Sequence, residues 1–268
     1  QMDAVRLIAS DMDHTLLDEL GELPPDFHDY VRRLNAVGIT FVAASGRPFS
    51  GLKKMFPPHD GVAYVGDNGG TVGHGDTVLF QSLLSPESYR AMAALALGST
   101  PGIPVASGVE SAYALAAHRE HEPYLSTFNP IVTFIDRFDD LDAAVNKFSV
   151  YLPSGDSRRY YEEVFAPAFA ADFSVTVGGP LWVDLMNPGV HKGNGIRILA
   201  EHLGLARHEL MAFGDADNDL EMLDEVQHSY AVRNAYENVP RRARFVTGSN
   251  ADHGVLTVIK QVLDAREG

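Results

Sequence analysis

The chain has 268 residues, 45% hydrophobic and 21% charged, the balance of a folded globular protein able to enclose a sizeable core. Its 21 Lys and Arg against 36 Asp and Glu give a formal charge of −15, which disfavours nucleic-acid or anionic-membrane partners, because phosphate surfaces reward basic stripes. The absence of cysteine excludes disulfides, zinc–thiolate centres, iron–sulfur clusters and cysteine nucleophiles.

The chain opens on Gln1-Met2-Asp3 without the basic and apolar regions of a signal peptide. No apolar run reaches the roughly 20 residues of a membrane helix, so a cytoplasmic protein without a membrane partner is expected. Val5 to Ser10 is short, apolar and β-branched, the pattern of a buried strand. Pro24-Pro25, the spacing of Phe27, Val31 and Leu34, and a stop at Gly38 predict a helix from about 25 to 37. Ile39 to Ala44 and Gly61 to Val65 predict two further strands, the latter turning at Gly66-Asp67-Asn68-Gly69-Gly70 into a hairpin that ends at Phe80.

Between about 83 and 189 the texture changes to a helix around Pro86 to Leu97, a strand at Lys147 to Leu152, and a hairpin around Gly178-Gly179-Pro180. The first pattern then returns. Ile196, Leu199 and Leu203 mark a helix ending at Gly204, Leu210 to Phe213 is a buried strand, and Leu220, Leu223 and Val226 mark the next helix. Tyr230 to Val232 and Arg244 to Val246 read as short strands, and Val255 to Leu263 as a closing helix. The expected fold is α/β: a doubly wound, Rossmann-like parallel sheet core (1–82 and 190–268) with an inserted α+β cap (83–189). Ser82 to Pro86 and Asn187-Pro188-Gly189 have the composition of hinges.

Four segments carry candidate chemistry. The first strand ends in Asp11-Met12-Asp13-His14-Thr15, where two carboxylates at i and i+2 project to one side of an extended chain. One can serve as nucleophile and its neighbour as general acid and base, although a hydrated acidic turn has the same composition. The second strand ends in Ser45-Gly46-Arg47, a hydroxyl, a close-approach glycine and a cation that suit a phosphate or an ordinary turn. Lys192 opens a helix against the macrodipole, which an anion would explain. Asp215, Asp217 and Asp219 follow the strand at 210–213 and offer hard oxygen ligands for Mg²⁺. They are not an EF-hand loop, since Leu220 and Val226 stand where glycine and glutamate are needed.

In this order the segments resemble the four motifs of the haloacid dehalogenase superfamily: Asp11/Asp13/Thr15, Ser45, Lys192, and Asp215/Asp219. Ser45-Gly46-Arg47, Asn68-Gly69-Gly70 and the insertion after the third strand resemble its Cof-type, subtype IIB branch; His14 departs at a position where glycine is common. The resemblance implies a phosphatase in which Asp11 attacks a phosphomonoester and Asp13 serves as acid and then base. Mg²⁺ would be held by Asp11, Asp215 and the backbone carbonyl of Asp13, with Asp219 direct or behind them. Ser45, Gly46 and Lys192 would hold phosphoryl oxygens, and Thr15, Arg47, Asn68 and Asn218 are further phosphate or substrate candidates.

The cap segment carries six Lys and Arg against thirteen Asp and Glu. This tilts the expectation toward hydrolysis of a small monophosphate with a neutral, hydroxyl-rich body, such as a sugar phosphate. A phosphomutase, which must hold a second phosphate, and a non-catalytic phospho-ligand-binding module are the alternatives. His118 to Glu122 looks metal-rich but matches no zinc pattern, and Pro123 interrupts any helix carrying both histidines. Trp182, the sole tryptophan, is read as hydrophobic packing ahead of substrate stacking.

Overall fold

Two β-sheets divide the chain between them in the computed structural model, which describes residues 1–268. Five strands come from the first part of the chain: β1 (Leu7–Asp11), β2 (Thr40–Ala44), β3 (Ala63–Gly66), β4 (Thr71–His74) and β5 (Thr77–Gln81). The insertion contributes β6 (Ile103–Gly108), β7 (Ala112–Leu115), β8 (Val132–Ile135), β9 (Val145–Tyr151), β10 (Ser174–Val177) and β11 (Trp182–Met186). The last part adds β12 (Leu210–Gly214), β13 (His228–Val232) and β14 (Phe245–Thr247).

The core sheet runs β14-β13-β12-β1-β2-β3-β4-β5, parallel from β14 to β3 and antiparallel for the last two. β1 is a continuous apolar run because both of its faces are covered. Ile8 joins Phe41, Ala43, Met211 and Phe213 against the helices Phe27–Ala36 and Gly254–Glu267. Leu7 and Ala9 join Val42, Ala44 and Ala212 on the opposite face, against the helices Lys192–Leu203 and Leu220–Glu225. The chain winds from β1 through β2 to β3 in one direction and resumes at β12 on the other side of β1. The order therefore reverses between β1 and β12, and the carboxyl ends of these two strands flank the crevice where open α/β sheets bind ligands.

The cap sheet runs β10-β11-β9-β6-β7-β8 and is antiparallel except for the β7/β8 pair. Its strands alternate. Ala106, Phe148, Val150, Val183 and Leu185 pack on the helix Pro86–Ser99 and the helical segment that contains Phe165. The intervening Val105, Ser107, Lys147, Ser149, Trp182 and Asp184 face the cleft above the core sheet. The sequence reading of an α/β core with an inserted α+β cap agrees with this architecture. It missed β6, β7 and β8: Pro104 sits inside β6, where it escapes the pairing with β7 that starts only at Val105. No helix is long and apolar enough to cross a membrane.

The turn from β3 to β4 brings core and cap together. Asp67 and Asn68 adopt left-handed backbone conformations at φ 50° and 56°, and Gly69 follows at φ 101°. A side chain on Gly69 would overlap the carbonyl of His191, so only glycine fits at this crossing.

Candidate active site

Asp11 closes β1 and its carboxylate is buried. Lys192 Nζ donates to Asp11 Oδ1 at 2.7 Å and to Asp219 Oδ1 at 2.7 Å. Lys192 is fully buried at the first turn of its helix, so the anion that offsets the dipole penalty is a pair of internal carboxylates. Thr15 Oγ1 lies 2.9 Å from Asp11 Oδ2 and 3.0 Å from Asp215 Oδ1. A hydroxyl has one proton to give, so Thr15 bridges the two carboxyls by donating to one at a time.

The surroundings push the two carboxyls in opposite directions. Burial opposes ionisation of Asp11, but the Lys192 charge and hydrogen bonds from Asp215, Lys192 and Thr15 hold its carboxyl below the usual range. Asp215 is pushed well above that range by burial first and by the Asp11 charge second. Burial and Asp11 also raise Asp219, to about 6, against the pull of Lys192. Lys192 is held above its ordinary value because the charges of Asp11 and Asp219 outweigh its burial.

Asp11, Asp215 and Asp219 bring one carboxylate oxygen each within 4.8 Å of one another. The donors are hard oxygens, and three carboxyls face a single ammonium, a deficit of positive charge that suits a divalent cation such as Mg²⁺. Asp219 is already occupied: Oδ1 takes Lys192, and Oδ2 accepts from the backbone N–H of Asp215 at 2.9 Å and of Ala216 at 3.2 Å. That arrangement suits holding the acidic loop in shape better than binding a metal directly. Asp217 faces away from the cluster, to Arg158 of the cap at 2.6 Å and to Asn238 Nδ2 at 2.6 Å.

The Asp13 carboxylate is not part of the cluster. Arg47 grips it with two parallel bonds, Nε to Oδ2 at 2.8 Å and Nη2 to Oδ1 at 2.7 Å. The same guanidinium lies 5.0 Å from the ring centre of the cap residue Phe128. Arg47, expected beside a phosphate, thus orients Asp13. Ser45 Oγ accepts from the backbone N–H of Arg47 at 3.0 Å, which leaves its own proton free to donate. Gly46 lines the cleft, and its carbonyl accepts from Lys147 Nζ. Asn68 accepts from Asn218 Nδ2 at 3.2 Å and donates to Asp184 Oδ2 at 2.7 Å, linking the acidic loop to the cap.

Cap residues that sequence reasoning did not single out complete the cleft: Lys147, Ser149 and Asp184 on its polar side, Tyr124 and Phe128 on its apolar side. Trp182 combines packing with exposure to the cleft. It stacks with Tyr124 at 6.2 Å and meets Phe128 edge-on at 6.3 Å. His118 and His121 do not line the cleft and belong to no three-residue ligand cluster.

Behind the cleft, Ser107 of the cap donates to the buried Asp67 of the core at 2.7 Å. Burial pushes the Asp67 carboxyl up to about 6 from 3.8, with Lys147 and Ser107 opposing and the charge of Asp184 adding. A folded-state value above the unfolded one binds the proton more tightly in the fold. Its stabilising contribution is complete below pH 3.8 and is lost as pH rises through about 6. The loss is at most about 3 kcal/mol. Asp67→Asn is therefore expected to raise the melting temperature at pH 7 and leave it nearly unchanged at pH 4. Equal effects at both values would contradict the assignment.

A sequence profile of haloacid dehalogenase-like hydrolases matches residues 8–259. The chain is 33% identical over 267 residues to the Escherichia coli (strain K12) 5-amino-6-(5-phospho-D-ribitylamino)uracil phosphatase YbjI, covering 97% of each protein. Among solved structures, SMU.1108c from Streptococcus mutans UA159 superposes with a TM-score of 0.90 at 28% identity, over 97% of this chain and 99% of that one. A subclass IIB sugar phosphatase, BT4131, shares the fold with a TM-score of 0.80 at 21% identity, over 96% and 98%. With β1, β2, the Lys192 helix and the β12 loop converging on one acidic centre, and the profile spanning nearly all of the sequence, the chain belongs to the haloacid dehalogenase-like hydrolase family.

Proposed function

We propose that the protein is a Mg²⁺-dependent phosphatase that hydrolyses a small phosphorylated metabolite with a hydroxyl-rich body, through a phosphoryl-aspartate. The observation that carries this reading is the juxtaposition at the β1/β12 switch point: an ionised Asp11 fixed by Lys192 and Thr15, with Asp13 two residues on.

In this reading an Asp11 oxygen forms a bond to phosphorus as the bond to the leaving oxygen breaks; Asp13 enters the step as the neutral acid, which requires one of its two Arg47 bonds to open, and gives that oxygen its proton. A water then attacks the phosphoryl-aspartate and passes a proton to Asp13, releasing phosphate and restoring the Asp11 carboxylate. Lys192 and Thr15 keep Asp11 deprotonated and aimed, and Arg47 holds the Asp13 carboxyl in a fixed plane. Ser45 has a free hydroxyl proton for a phosphoryl oxygen. A bound Mg²⁺, held by Asp11 and Asp215 with the Asp13 carbonyl, supplies the charge neutralisation that lets carboxylate and phosphate approach.

Two features support the leaving-group assignment. Ser149 and Asp184 offer polar partners for hydroxyls, and Tyr124, Phe128 and Trp182 supply an apolar, aromatic wall. The name of the Escherichia coli relative describes a ribityl phosphate joined to a uracil, a molecule with both characters. The cap's acidic balance weighs against a phosphomutase.

The test is phosphate release from an aryl phosphate and from a panel of sugar and ribityl phosphates, with and without Mg²⁺. Chelation is expected to abolish turnover. Adding Mg²⁺ is also expected to raise the melting temperature, because the ion binds the folded acidic cluster and not the unfolded chain. Full turnover in the presence of chelator would sink the metal assignment, and no release from any ester would sink the phosphatase reading.

A further inference from the structure

The cleft ceiling contains a buried acid that the hydrolytic chemistry does not use. Asp184 is 3% exposed, on the cleft-facing side of β11. Its Oδ2 accepts from Asn68 Nδ2 at 2.7 Å and its Oδ1 from Ser149 Oγ at 2.7 Å. A carboxylate offers about four lone-pair sites, so these bonds leave about two unused. Lys147 Nζ stands 4.0 Å from Oδ1, but its hydrogen bond goes to the Gly46 carbonyl. The other cation lining the cleft, Arg47, is committed to Asp13. Beyond the phosphoryl position the cleft thus has a buried acceptor with spare capacity, and Lys147, 4.0 Å away and bonded to a neutral carbonyl, is the one Lys or Arg there not committed to another acid.

We propose that Asp184 determines leaving-group selectivity: it accepts a hydrogen bond from a hydroxyl or amine of the leaving group and rejects leaving groups bearing a second negative charge. The physical basis is asymmetric. A neutral donor gains a charge-assisted hydrogen bond in a site shielded from water. An anion in the same place meets a like charge that Lys147, 4.0 Å from Oδ1 and hydrogen-bonded to the Gly46 carbonyl, offsets only in part. The role is one of specificity, because Asp184 belongs to the cap and lies outside the Asp11, Asp215 and Asp219 cluster.

This inference rests on the phosphatase reading, and its test separates the two. The probes are sorbitol 6-phosphate and 6-phosphogluconate, which differ only by a terminal hydroxymethyl against a carboxylate. The wild-type protein is expected to favour the former in kcat/KM by about 10-fold or more. In Asp184→Asn that ratio is expected to shrink several-fold, with folding checked by circular dichroism. In Lys147→Gln, which removes the nearest positive charge, the ratio is expected to widen, so the proposal stays testable if the first variant fails to fold. A structural defect in either variant lowers both rates together and leaves the ratio where it was. A wild-type ratio near one, or a ratio unmoved in a folded variant, overturns the proposal while leaving the phosphatase reading intact. Failure of the wild-type protein to release phosphate from these esters and from an aryl phosphate overturns the phosphatase reading itself.

Discussion

Replacing Asp11 with asparagine is expected to lower phosphate release by a factor on the order of 10⁴ or more, the scale seen when a catalytic nucleophile is removed. The substitution preserves shape but removes the charge and the nucleophilic oxygen pair. The protein should still fold. One fewer negative charge relieves the crowding that raises Asp215 and Asp219, and the remaining amide oxygen can still accept from Lys192 or Thr15. A melting temperature within a few degrees of wild type, together with lost turnover, is therefore the expected pair of results. Near-normal turnover would remove Asp11 from the nucleophile's position.

Lys192→Met should behave differently, because it damages fold and activity together. Lys192 is fully buried between Asp11 and Asp219, and removing one member of a buried ionic set costs about 3–5 kcal/mol. The backbone N–H groups on Asp219 and the Thr15 hydroxyl remain, which favours the lower end of that range. For a chain of this size the melting temperature should fall by roughly 10 °C. The loss has a sign in pH. Without the ammonium both carboxyls rise in the folded state, so stability is retained below their unfolded values and lost as pH increases. The variant should be further from wild type at pH 8 than at pH 5, measured by thermal melts. Melting identical to wild type at pH 8 would mean that the carboxylates do not depend on the ammonium.

The contrast between these variants reflects what the sequence could convey. Asp11, Asp13, Asp215 and Asp219 stand out because β1 and β12 are buried on both faces, so their strands read as apolar runs that end abruptly in carboxylates. The position of Lys192 was legible, but its burial was not. A lysine at a helix start looks the same whether it meets solvent or two carboxylates brought from residues 11 and 219. Arg47 is similar: its neighbour Ser45 suggested a phosphate cradle, and only the fold brings the Asp13 carboxylate to its guanidinium.

The cap was the least legible part for a related reason. Lys147-Phe148-Ser149-Val150 and Trp182-Val183-Asp184-Leu185 carry a clear period of two. That pattern ordinarily marks a half-buried strand with its polar side in water. Here the polar side roofs a cleft, and nothing local distinguishes the two situations. Tyr124 and Phe128 lie on a short helix behind Pro123, where an aromatic pair reads as packing.

The same alternation in β6, β9 and β11 bears on how the enzyme could acquire new substrates. Residues that line the cleft and residues of the main apolar layer of the cap alternate along these strands, so the first set can change with little effect on the second. Substitutions at Ser149 and Asp184 leave the apolar layer of Ala106, Phe148, Val150, Val183 and Leu185 untouched, whereas Val105 and Trp182 also pack in a second apolar cluster with Ile103, Ala112, Leu125 and Tyr151. A library confined to the polar cleft-facing positions of these strands, and sparing Val105 and Trp182, would sample recognition at little risk to the apolar layers, which makes this sheet a natural starting point for directed evolution.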